Sequence, residues 1–327
     1  MFGRIPRLFA MVTLLIAMGA IALAQADVPG GAPPLLQQDA PKKKQRAFVK
    51  QKVALPILEG VKIERDLTYA KLKANRALKL DLYVPETALE KLPLIVWIHG
   101  GGWRRGSKYP TGAATLSTKG YVVASIEYRL SSEAQFPAQI EDCKAALRWL
   151  RAHAKTYHID PDKVGAWGSS AGGHLVALLG TAGDKTAWDV GDHLDQSSRV
   201  QAVCDFFGPA DFSQIHAEHA AKAEGAVAQL LGGSVSEKPD AARDASPITH
   251  ITKEDPPFLI CHGTEDPLVP LKQSLAFHAA LTKAGVHATL VKVERGGHGF
   301  RSDTNPTSGE VLQRVQAFFD KELKPTP

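Results

Sequence analysis

Apolar runs and amphipathic stretches alternate along the chain from about residue 61 onward. Eight short segments have the continuous or alternating apolar pattern of β-strands, near residues 61–70, 77–84, 93–98, 121–128, 163–168, 200–207, 257–262 and 288–294. Five stretches have the helical period, near residues 111–119, 137–156, 170–182, 271–284 and 308–323. The alternation predicts an α/β fold with a mostly parallel eight-stranded sheet and helices on both faces. We expect the first two strands to pair antiparallel at one edge.

The most informative motif is Gly168-Ser169-Ser170-Ala171-Gly172, which joins a predicted strand to a predicted helix. Its central residue, Ser170, lies at the apex of a sharp turn, and the small neighbours leave room for a strained backbone. The start of a helix also favours developing negative charge. A glycine-rich turn without chemistry would have the same local pattern, so the rest of the chain must distinguish the two.

A second glycine motif, His-Gly-Gly-Gly at residues 99–102, follows an apolar strand. Glycines let backbone N–H groups approach a substrate closely. A serine that attacks an ester creates an oxyanion, and each N–H donor to it contributes about 10²–10³ in rate. We predict that the N–H groups of Gly101, Gly102 and Ala171 form this oxyanion hole. The adjacent Trp103 is either a wall of the substrate pocket or a core residue.

A serine nucleophile requires a general base and an orienting carboxylate, expected downstream in the order acid and then histidine. Asp266 lies just past the predicted strand 257–262, and His298 lies between glycines in the loop after the last predicted strand. The predicted catalytic triad is therefore Ser170, Asp266 and His298. Glu265 is the alternative acid, one residue away.

Two long connections and several polar residues have other predicted roles. Residues 181–199 and 211–250, the second with a helix-like part at 217–231, are expected to form a small cap or rim over the site. Arg129 and Asp142 are expected to form a buried or half-buried pair that fixes the loop after the fourth strand. Structural roles are also predicted for His99, which braces the glycine motif, and for His174, His262, Glu127 and Asp205.

Together these residues resemble the α/β-hydrolase superfamily, in its carbohydrate-esterase and hormone-sensitive-lipase-like branches. The resemblance runs from about Val61 to Phe319 and includes residues 120–130, 136–150 and 159–164. The chain is similar in particular to bifunctional feruloyl and acetyl-xylan esterases. This implies an α/β-hydrolase fold and a secreted serine esterase that removes acetyl or feruloyl groups from plant polysaccharide or similar small esters. The lipase-like branch usually has an aspartate before the nucleophile; Ser169 stands there instead, which weakens any inference of lipid substrates.

Other functions remain open from the sequence. The same triad can hydrolyse activated amides, as a formamidase does, or peptides, as peptidases of the prolyl-oligopeptidase kind do. A hydrolase-fold protein can also bind a ligand without catalysis, although this usually involves loss of a triad residue, and none is missing here. The acyl group, the alcohol and the oligomeric state do not follow from these motifs.

The N-terminus has the pattern of an export signal. Arg4 and Arg7 precede an apolar run at residues 8–24, and small residues suited to cleavage follow. We expect a signal peptide at residues 1–26, hence a secreted or periplasmic protein without stable membrane insertion after cleavage. An uncleaved membrane anchor is the alternative. Residues 27–52, rich in Pro, Gly, Gln and Lys, are expected to form a disordered linker before a catalytic domain at 53–327.

Composition limits the other partners. The 327 residues are 44% hydrophobic and 22% charged, as in an ordinary globular protein. The net charge of +5 falls to about +3 without the two N-terminal arginines, which is too mild to indicate nucleic acid. The sequence has no zinc-ligand spacing, phosphate loop or dinucleotide motif, so we expect no metal and no cofactor. Three cysteines, Cys143, Cys204 and Cys261, are expected to be buried free thiols, with a Cys204–Cys261 disulfide as the alternative.

Overall fold

The computed structural model describes residues 58–72, 76–88, 90–109, 111–215 and 220–324, with backbone alone at 220–224. All of them belong to one compact unit, which spans Val53–Pro327. The predicted signal peptide at 1–26 and linker at 27–52 lie outside the described residues. Within the described residues, no helix combines the length and the apolar character needed to cross a bilayer.

Eight strands form one sheet in the order β1-β2-β4-β3-β5-β6-β7-β8. Only β2 runs antiparallel to its neighbours, β1 and β4, and the remaining neighbours pair in parallel. The predicted mostly parallel sheet and the antiparallel pair at its edge are therefore confirmed. The strands are β1 (Val61–Lys71), β2 (Ala77–Pro85), β3 (Leu92–Ile98), β4 (Val122–Ile126), β5 (Ile159–Ser169), β6 (Ala202–Phe206), β7 (Phe258–Gly263) and β8 (Ala288–Val293).

Within the described ranges, six α-helices connect or flank these strands: α1 (Ala138–Ala152), α2 (Ala171–Thr181), α3 (Ala220–Leu231), α4 (Pro239–Asp244), α5 (Leu271–Lys283) and α6 (Ser308–Leu323). The helix predicted at 111–119 is instead a short 3-10 helix, Ala114–Lys119. The hydroxyls of Ser117 and Thr118 each donate to the carbonyl three residues earlier, a local bond that competes with the α-helical ladder. Gly120, with φ of 82°, then ends the element.

The sheet separates two apolar cores. Side chains alternate along each strand, so Val96 of β3 faces one core whereas Ile95 and Trp97 face the other. The first core contains buried residues of α1, α2 and α5, and the second contains those of α6 and the 3-10 helix. Helices therefore cover both faces, as predicted, and the carboxyl edge of the parallel strands is left for the site.

All three cysteines are buried and free. Cys204 lies opposite Leu259, and Cys261 lies opposite Phe206, so the two thiols are offset on adjacent strands. Burial raises the pKa of the thiols of Cys143, Cys204 and Cys261 above its ordinary value. The expected free thiols are confirmed, and the alternative disulfide is wrong.

The predicted pair of Arg129 and Asp142 is also confirmed. Asp142 accepts hydrogen bonds from the backbone N–H of Arg129 at 2.8 Å and from its Nη2 at 2.7 Å. Glu141 accepts a further bond from Nη2 at 3.0 Å. Because both carboxylates belong to α1, the ion pairs tie the chain after β4 to the start of that helix.

Candidate active site

Ser170 lies between β5 and α2 in a left-handed backbone conformation, with φ of 56° and ψ of −118°. The turn is so tight that a Cβ on Gly168 would overlap the carbonyl of Gly172, and a Cβ on Gly172 would overlap that of Ile98. Ser170 N–H donates to the Phe206 carbonyl at 2.8 Å, which ties the turn to β6. The glycines at these two positions are therefore a steric requirement of the turn that presents Ser170.

Asp266 lies in the loop after β7 and is buried. Its Oδ1 accepts hydrogen bonds from the backbone N–H groups of Leu268 at 2.8 Å and Val269 at 3.0 Å. Nε2 of the buried His262 lies 3.5 Å from Oδ2 and donates to the Val269 carbonyl at 2.8 Å. These contacts fix the carboxylate so that its Oδ2 is directed to one further partner.

That partner is His298, in the loop after β8. The loop is held to the Asp266 loop, since Glu265 N–H donates to the Gly296 carbonyl at 2.8 Å. A Cβ on Gly263 would overlap Gly296, so the two loops approach at a distance that only glycine permits there. The side chain of Glu265 is exposed, whereas Asp266 is directed inward.

Three side chains meet in a hydrogen-bonded chain. His298 Nδ1 lies 2.7 Å from Asp266 Oδ2, and His298 Nε2 lies 2.8 Å from Ser170 Oγ. A carboxylate only accepts hydrogen bonds, so Nδ1 carries the proton and Nε2 is free to accept the proton of the serine hydroxyl. This arrangement can move a proton from Ser170 to His298 while Asp266 holds the ring in place.

The electrostatics of Asp266 favour its ionised form. Burial by itself would raise the pKa of this carboxyl, but hydrogen bonds from His262, His298 and the Val269 N–H hold the pKa well below its usual range. Asp266 therefore stays ionised at every pH at which a histidine base operates. A buried anion beside His298 stabilises the imidazolium that forms when the ring takes a proton.

The glycine loop (residues 99–106) approaches Ser170 from β3. Gly101 and Gly102 both have positive φ, of 116° and 61°. In the described part of the chain, the N–H groups of Gly101, Gly102 and Ala171 donate to no acceptor. All three residues line the same cavity as Ser170 and His298. The structure thus brings the predicted amide donors to the predicted triad.

The cavity has a volume of about 720 Å³. Its walls away from the triad are mainly apolar, and residues of the 211–250 connection and of the loop after β7 supply much of them: Ile215, Ala226, Val227, Leu268, Val269 and Pro270. Pockets of this size and character are typical of sites for small organic ligands.

Comparison with known proteins assigns the chain to a family. Residues 80–281, more than half of the chain, match the family model BD-FAE. The chain belongs to the BD-FAE family. Esterase LipC of Mycobacterium tuberculosis is 30% identical, across 71% of this chain and 61% of its own length. The probable carboxylic ester hydrolase LipM of the same organism is 34% identical, across 65% of this chain and 50% of its own length.

Solved structures show the same fold as this BD-FAE member. A truncated carbohydrate esterase from gut microbiota superposes with a TM-score of 0.74 at 32% identity and covers 83% of this chain and 100% of its own. A thermophilic esterase of Thermogutta terrifontis superposes with a TM-score of 0.67 at 30% identity, covering 83% and 96%. The α/β-hydrolase fold is therefore established, and the relatives are named esterases.

Within this BD-FAE fold, Trp103 combines the two roles considered from the sequence. Its indole is buried in the core, and the residue also lines the cavity. The indole Nε1 donates to His174 Nδ1 at 3.2 Å, and His174 Nε2 donates to the Ala245 carbonyl at 2.6 Å. Burial lowers the pKa of His174 to about 4, so the ring stays neutral and keeps the lone pair that Trp103 requires.

Other polar residues near the site have structural surroundings. His99 is buried, stacks on Tyr128 and lies with Nδ1 2.7 Å from the Gly100 carbonyl, so it braces the glycine loop. Asp205 is fully enclosed beside the turn of Ser170, and its Oδ1 accepts the Gly208 N–H at 2.9 Å. Burial raises the pKa of Asp205 to about 6.

The two long connections differ in their contribution to the site. The 211–250 connection forms one wall of the cavity, as expected. The 181–199 connection supplies none of the described lining residues. It is instead tied to α1, where the buried Arg148 and Lys144 both bind Asp189, at 2.7 and 3.3 Å. The buried cations of α1 therefore hold this connection against that helix, and its expected contribution to a cap or rim is not found among the described lining residues.

Phe207 and Gln273 are among the residues that shape the cavity and that sequence reasoning missed. Phe207, with φ of 44°, contacts the ring of His298 at a centroid distance of 4.6 Å, with the two rings tilted by 53°. Gln273 of α5 is buried, and its Oε1 accepts the N–H groups of Ala210 and Asp211 at 2.9 and 2.8 Å. Gln273 had a detectable signal, because it is a polar residue at a core-facing position of an amphipathic helix. The position of Phe207 depends on its left-handed backbone, which its residue type does not predict.

Proposed function

We propose that this protein is a serine esterase that hydrolyses carboxylic esters. The observation that carries the proposal is the hydrogen-bonded chain Ser170–His298–Asp266, which lies beside three unoccupied amide donors in one cavity. The named activities of its relatives agree with this chemistry. The chain spans only about half of the length of some curated relatives, so the proposal depends on the site itself.

The geometry supports a two-step mechanism. Ser170 Oγ bonds to the ester carbonyl carbon while His298 Nε2 takes its proton, and the resulting oxyanion accepts the N–H groups of Gly101, Gly102 and Ala171. The bond from carbon to the alcohol oxygen then breaks, and His298 protonates the departing alcohol. Water repeats the sequence on the acyl-enzyme, which releases the carboxylic acid and restores the serine.

The substrate class is proposed from the cavity and the relatives. A volume of about 720 Å³ accommodates an acetyl or a feruloyl group together with part of an alcohol. One structural relative is a carbohydrate esterase. We therefore propose short acyl or feruloyl esters of plant polysaccharide, or similar small esters, as substrates. The N-terminal pattern further supports export to the periplasm or the medium.

Substitution of the serine tests the reaction. Ser170→Ala is expected to lower kcat for 4-nitrophenyl acetate by about 10⁴-fold or more, because Ser170 Oγ is the hydroxyl that bonds to His298 Nε2. Circular dichroism and urea unfolding of the variant should match the wild type. Ser197→Ala, at an exposed serine outside the cavity lining, is the matched control. Full turnover by Ser170→Ala would refute the proposal.

A substrate panel distinguishes the alternative functions. Acetylated xylan, methyl ferulate and 4-nitrophenyl esters of increasing length should be hydrolysed, and 4-nitroanilides and peptides should be hydrolysed far more slowly. Faster anilide hydrolysis would instead indicate an amidase. Binding of the esters without labelling by a serine-reactive phosphonate would indicate a non-catalytic protein.

A further inference from the structure

Two arginines of the glycine loop line the mouth of the cavity. Arg104 and Arg105 are both exposed, and both contribute to the lining. Nε of Arg104 lies 3.9 Å from the position that a Cβ on Gly102 would take. Cγ of Arg105 lies 3.2 Å from the corresponding position on Gly101. Both side chains therefore begin beside the amides that are proposed to hold the oxyanion.

The preceding residue fixes the backbone of this pair. Trp103 is buried, its Nε1 donates to His174 at 3.2 Å, and its ring packs edge-on against Phe212 at 5.7 Å. Arg104 N–H donates to the Gly101 carbonyl at 3.2 Å, which closes a turn. Because Trp103 is anchored in the core, the two residues that follow it are held at the surface of the cavity.

Neither guanidinium has a counter-charge in the described structure. Other arginines, such as Arg129 and Arg148, bind carboxylates. In the part of the chain that the structure describes, Arg104 and Arg105 have no side-chain hydrogen bond or ion pair, and no residue among those that line the cavity is acidic. Two like charges at the rim of a mostly apolar pocket create a positive potential there, which attracts anions.

We propose that this site prefers esters that carry a carboxylate near the scissile bond, and that Arg104 and Arg105 bind this carboxylate. The inference rests on the esterase function proposed above. The planar fork of a guanidinium matches a carboxylate in bidentate geometry. The carboxylate belongs either to the acyl part or to the alcohol part, as in an ester of a uronic-acid-containing sugar; the shared chemistry is the anion.

Matched pairs of neutral and anionic esters test this preference and its source. For the alcohol side, 4-acetoxybenzoate is compared with methyl 4-acetoxybenzoate by acetate release. For the acyl side, the mono-4-nitrophenyl ester of adipic acid is compared with its methyl ester by nitrophenolate release. Each kcat/KM is divided by the rate of hydroxide hydrolysis. We expect the anionic member of at least one pair to be preferred about tenfold at about 0.05 M salt, and this preference to fall at least threefold at about 0.5 M.

Variants assign the preference to the two arginines. Arg104→Gln and Arg105→Gln should each reduce the anionic-to-neutral ratio of kcat/KM by about fivefold, mainly through KM, because an exposed ion pair contributes a modest energy. Lysine at either position should restore part of the ratio. Arg314→Gln, at an exposed position of α6 outside the cavity lining, is the control for net charge and should keep the wild-type ratio.

The outcomes separate this inference from the proposed function. Two results would overturn the carboxylate site and leave the esterase intact. One is hydrolysis of the neutral esters with no preference for the anionic ones, and the other is a preference that persists when Arg104→Gln and Arg105→Gln are combined in one variant. Failure to hydrolyse any of the esters would overturn the esterase function, and the carboxylate site with it.

Discussion

Ser170 has a positive φ, which residues with a Cβ rarely adopt. The neighbouring Gly168 and Gly172 have no Cβ, and a Cβ at either position would overlap nearby backbone atoms. Even Gly100, in the glycine loop, has no room for a side chain, because a Cβ there would lie 2.7 Å from the Ser169 carbonyl. Strain at the serine is therefore compensated by close backbone packing, which the small residues on three sides permit.

Asp266 and Glu265 are adjacent in the chain, but only Asp266 is buried and bonded to His298. We expect Asp266→Asn to lower kcat by about 10³–10⁴-fold, because an amide in place of the carboxylate disturbs the tautomer of His298. Glu265→Gln should change kcat less than twofold, since this side chain is exposed. Steady-state kinetics with 4-nitrophenyl acetate checks both. The reverse ranking would assign the acid to Glu265.

Asp205 gives the fold a specific dependence on pH. Its folded-state pKa of about 6 exceeds the ordinary value of 3.8, so the native state binds this proton more tightly than the unfolded state does. The stability that protonation contributes is present below the unfolded pKa and is lost as pH rises through about 6. The buried carboxylate therefore destabilises the native state at neutral pH.

Asp205→Asn is expected to remove this dependence, because an amide remains neutral and its oxygen can still accept the Gly208 N–H. Between pH 4 and pH 7 the variant should gain up to about 3 kcal/mol in free energy of unfolding relative to the wild type. Urea unfolding across this range measures the difference. Parallel pH profiles of the two proteins would show that Asp205 titrates at the same pKa when folded and unfolded.

At the scale of elements, short polar ties set the position of each loop around the sheet. The Arg129 guanidinium connects the chain after β4 to α1, and Gln273 connects α5 to the segment that leads into the wall of the cavity. Each tie satisfies backbone N–H groups of a loop that follows a strand, those of Arg129 and of Ala210 and Asp211. The loops that carry the site are therefore held by hydrogen bonds to the helices and to one another.

The tie between β4 and α1 can be tested by removing one carboxylate. Asp142→Ala should lower the free energy of unfolding by about 2–4 kcal/mol, because it removes the buried carboxylate of the half-buried Arg129 guanidinium and leaves the Arg129 backbone N–H without an acceptor. Glu141→Gln, which changes a less buried partner of the same guanidinium, should cost about 0.5 kcal/mol. Urea unfolding at pH 7 gives both values. Equal losses would contradict the leading role of Asp142.

At the scale of the whole molecule, the site is assembled at one edge of the sheet from the ends of four strands. The glycine loop follows β3, Ser170 follows β5, Asp266 follows β7 and His298 follows β8. These strands are adjacent or nearly adjacent in the sheet, so their carboxyl ends approach each other. Because both apolar cores and all of these residues lie in the unit Val53–Pro327, that unit contains what the proposed reaction needs.

A chain that begins at Val53 is therefore expected to fold cooperatively and to retain kcat/KM for 4-nitrophenyl acetate within about twofold of the full chain. A chain that begins at Leu72 should be strongly destabilised, because it loses the edge strand β1 and the buried Tyr69, whose hydroxyl donates to the Glu127 carbonyl at 2.5 Å. Thermal unfolding and ester hydrolysis measure both. Inactivity of the first chain would show that the N-terminal residues contribute to the domain.

Local patterns determined much of this protein. The alternation of apolar runs gave the eight strands, because side-chain burial has a period of two along a strand and 3.6 along a helix. The glycines around Ser170 and the order of Asp266 and His298 indicated which side chains converge. These are features of short segments, where residue type and neighbouring residues dominate the free energy.

Only the tertiary structure decided which surfaces meet. The 181–199 connection packs on α1 because the buried Arg148 binds Asp189. Phe207, directly after β6, contacts the ring of His298 from a left-handed backbone conformation. Arg104 and Arg105 line the cavity because Trp103, which precedes them in the glycine loop, is anchored by His174 of α2. Such contacts join residues far apart in sequence, so their energies depend on the complete fold. They therefore produce no periodic pattern of apolar and polar residues from which they could be predicted.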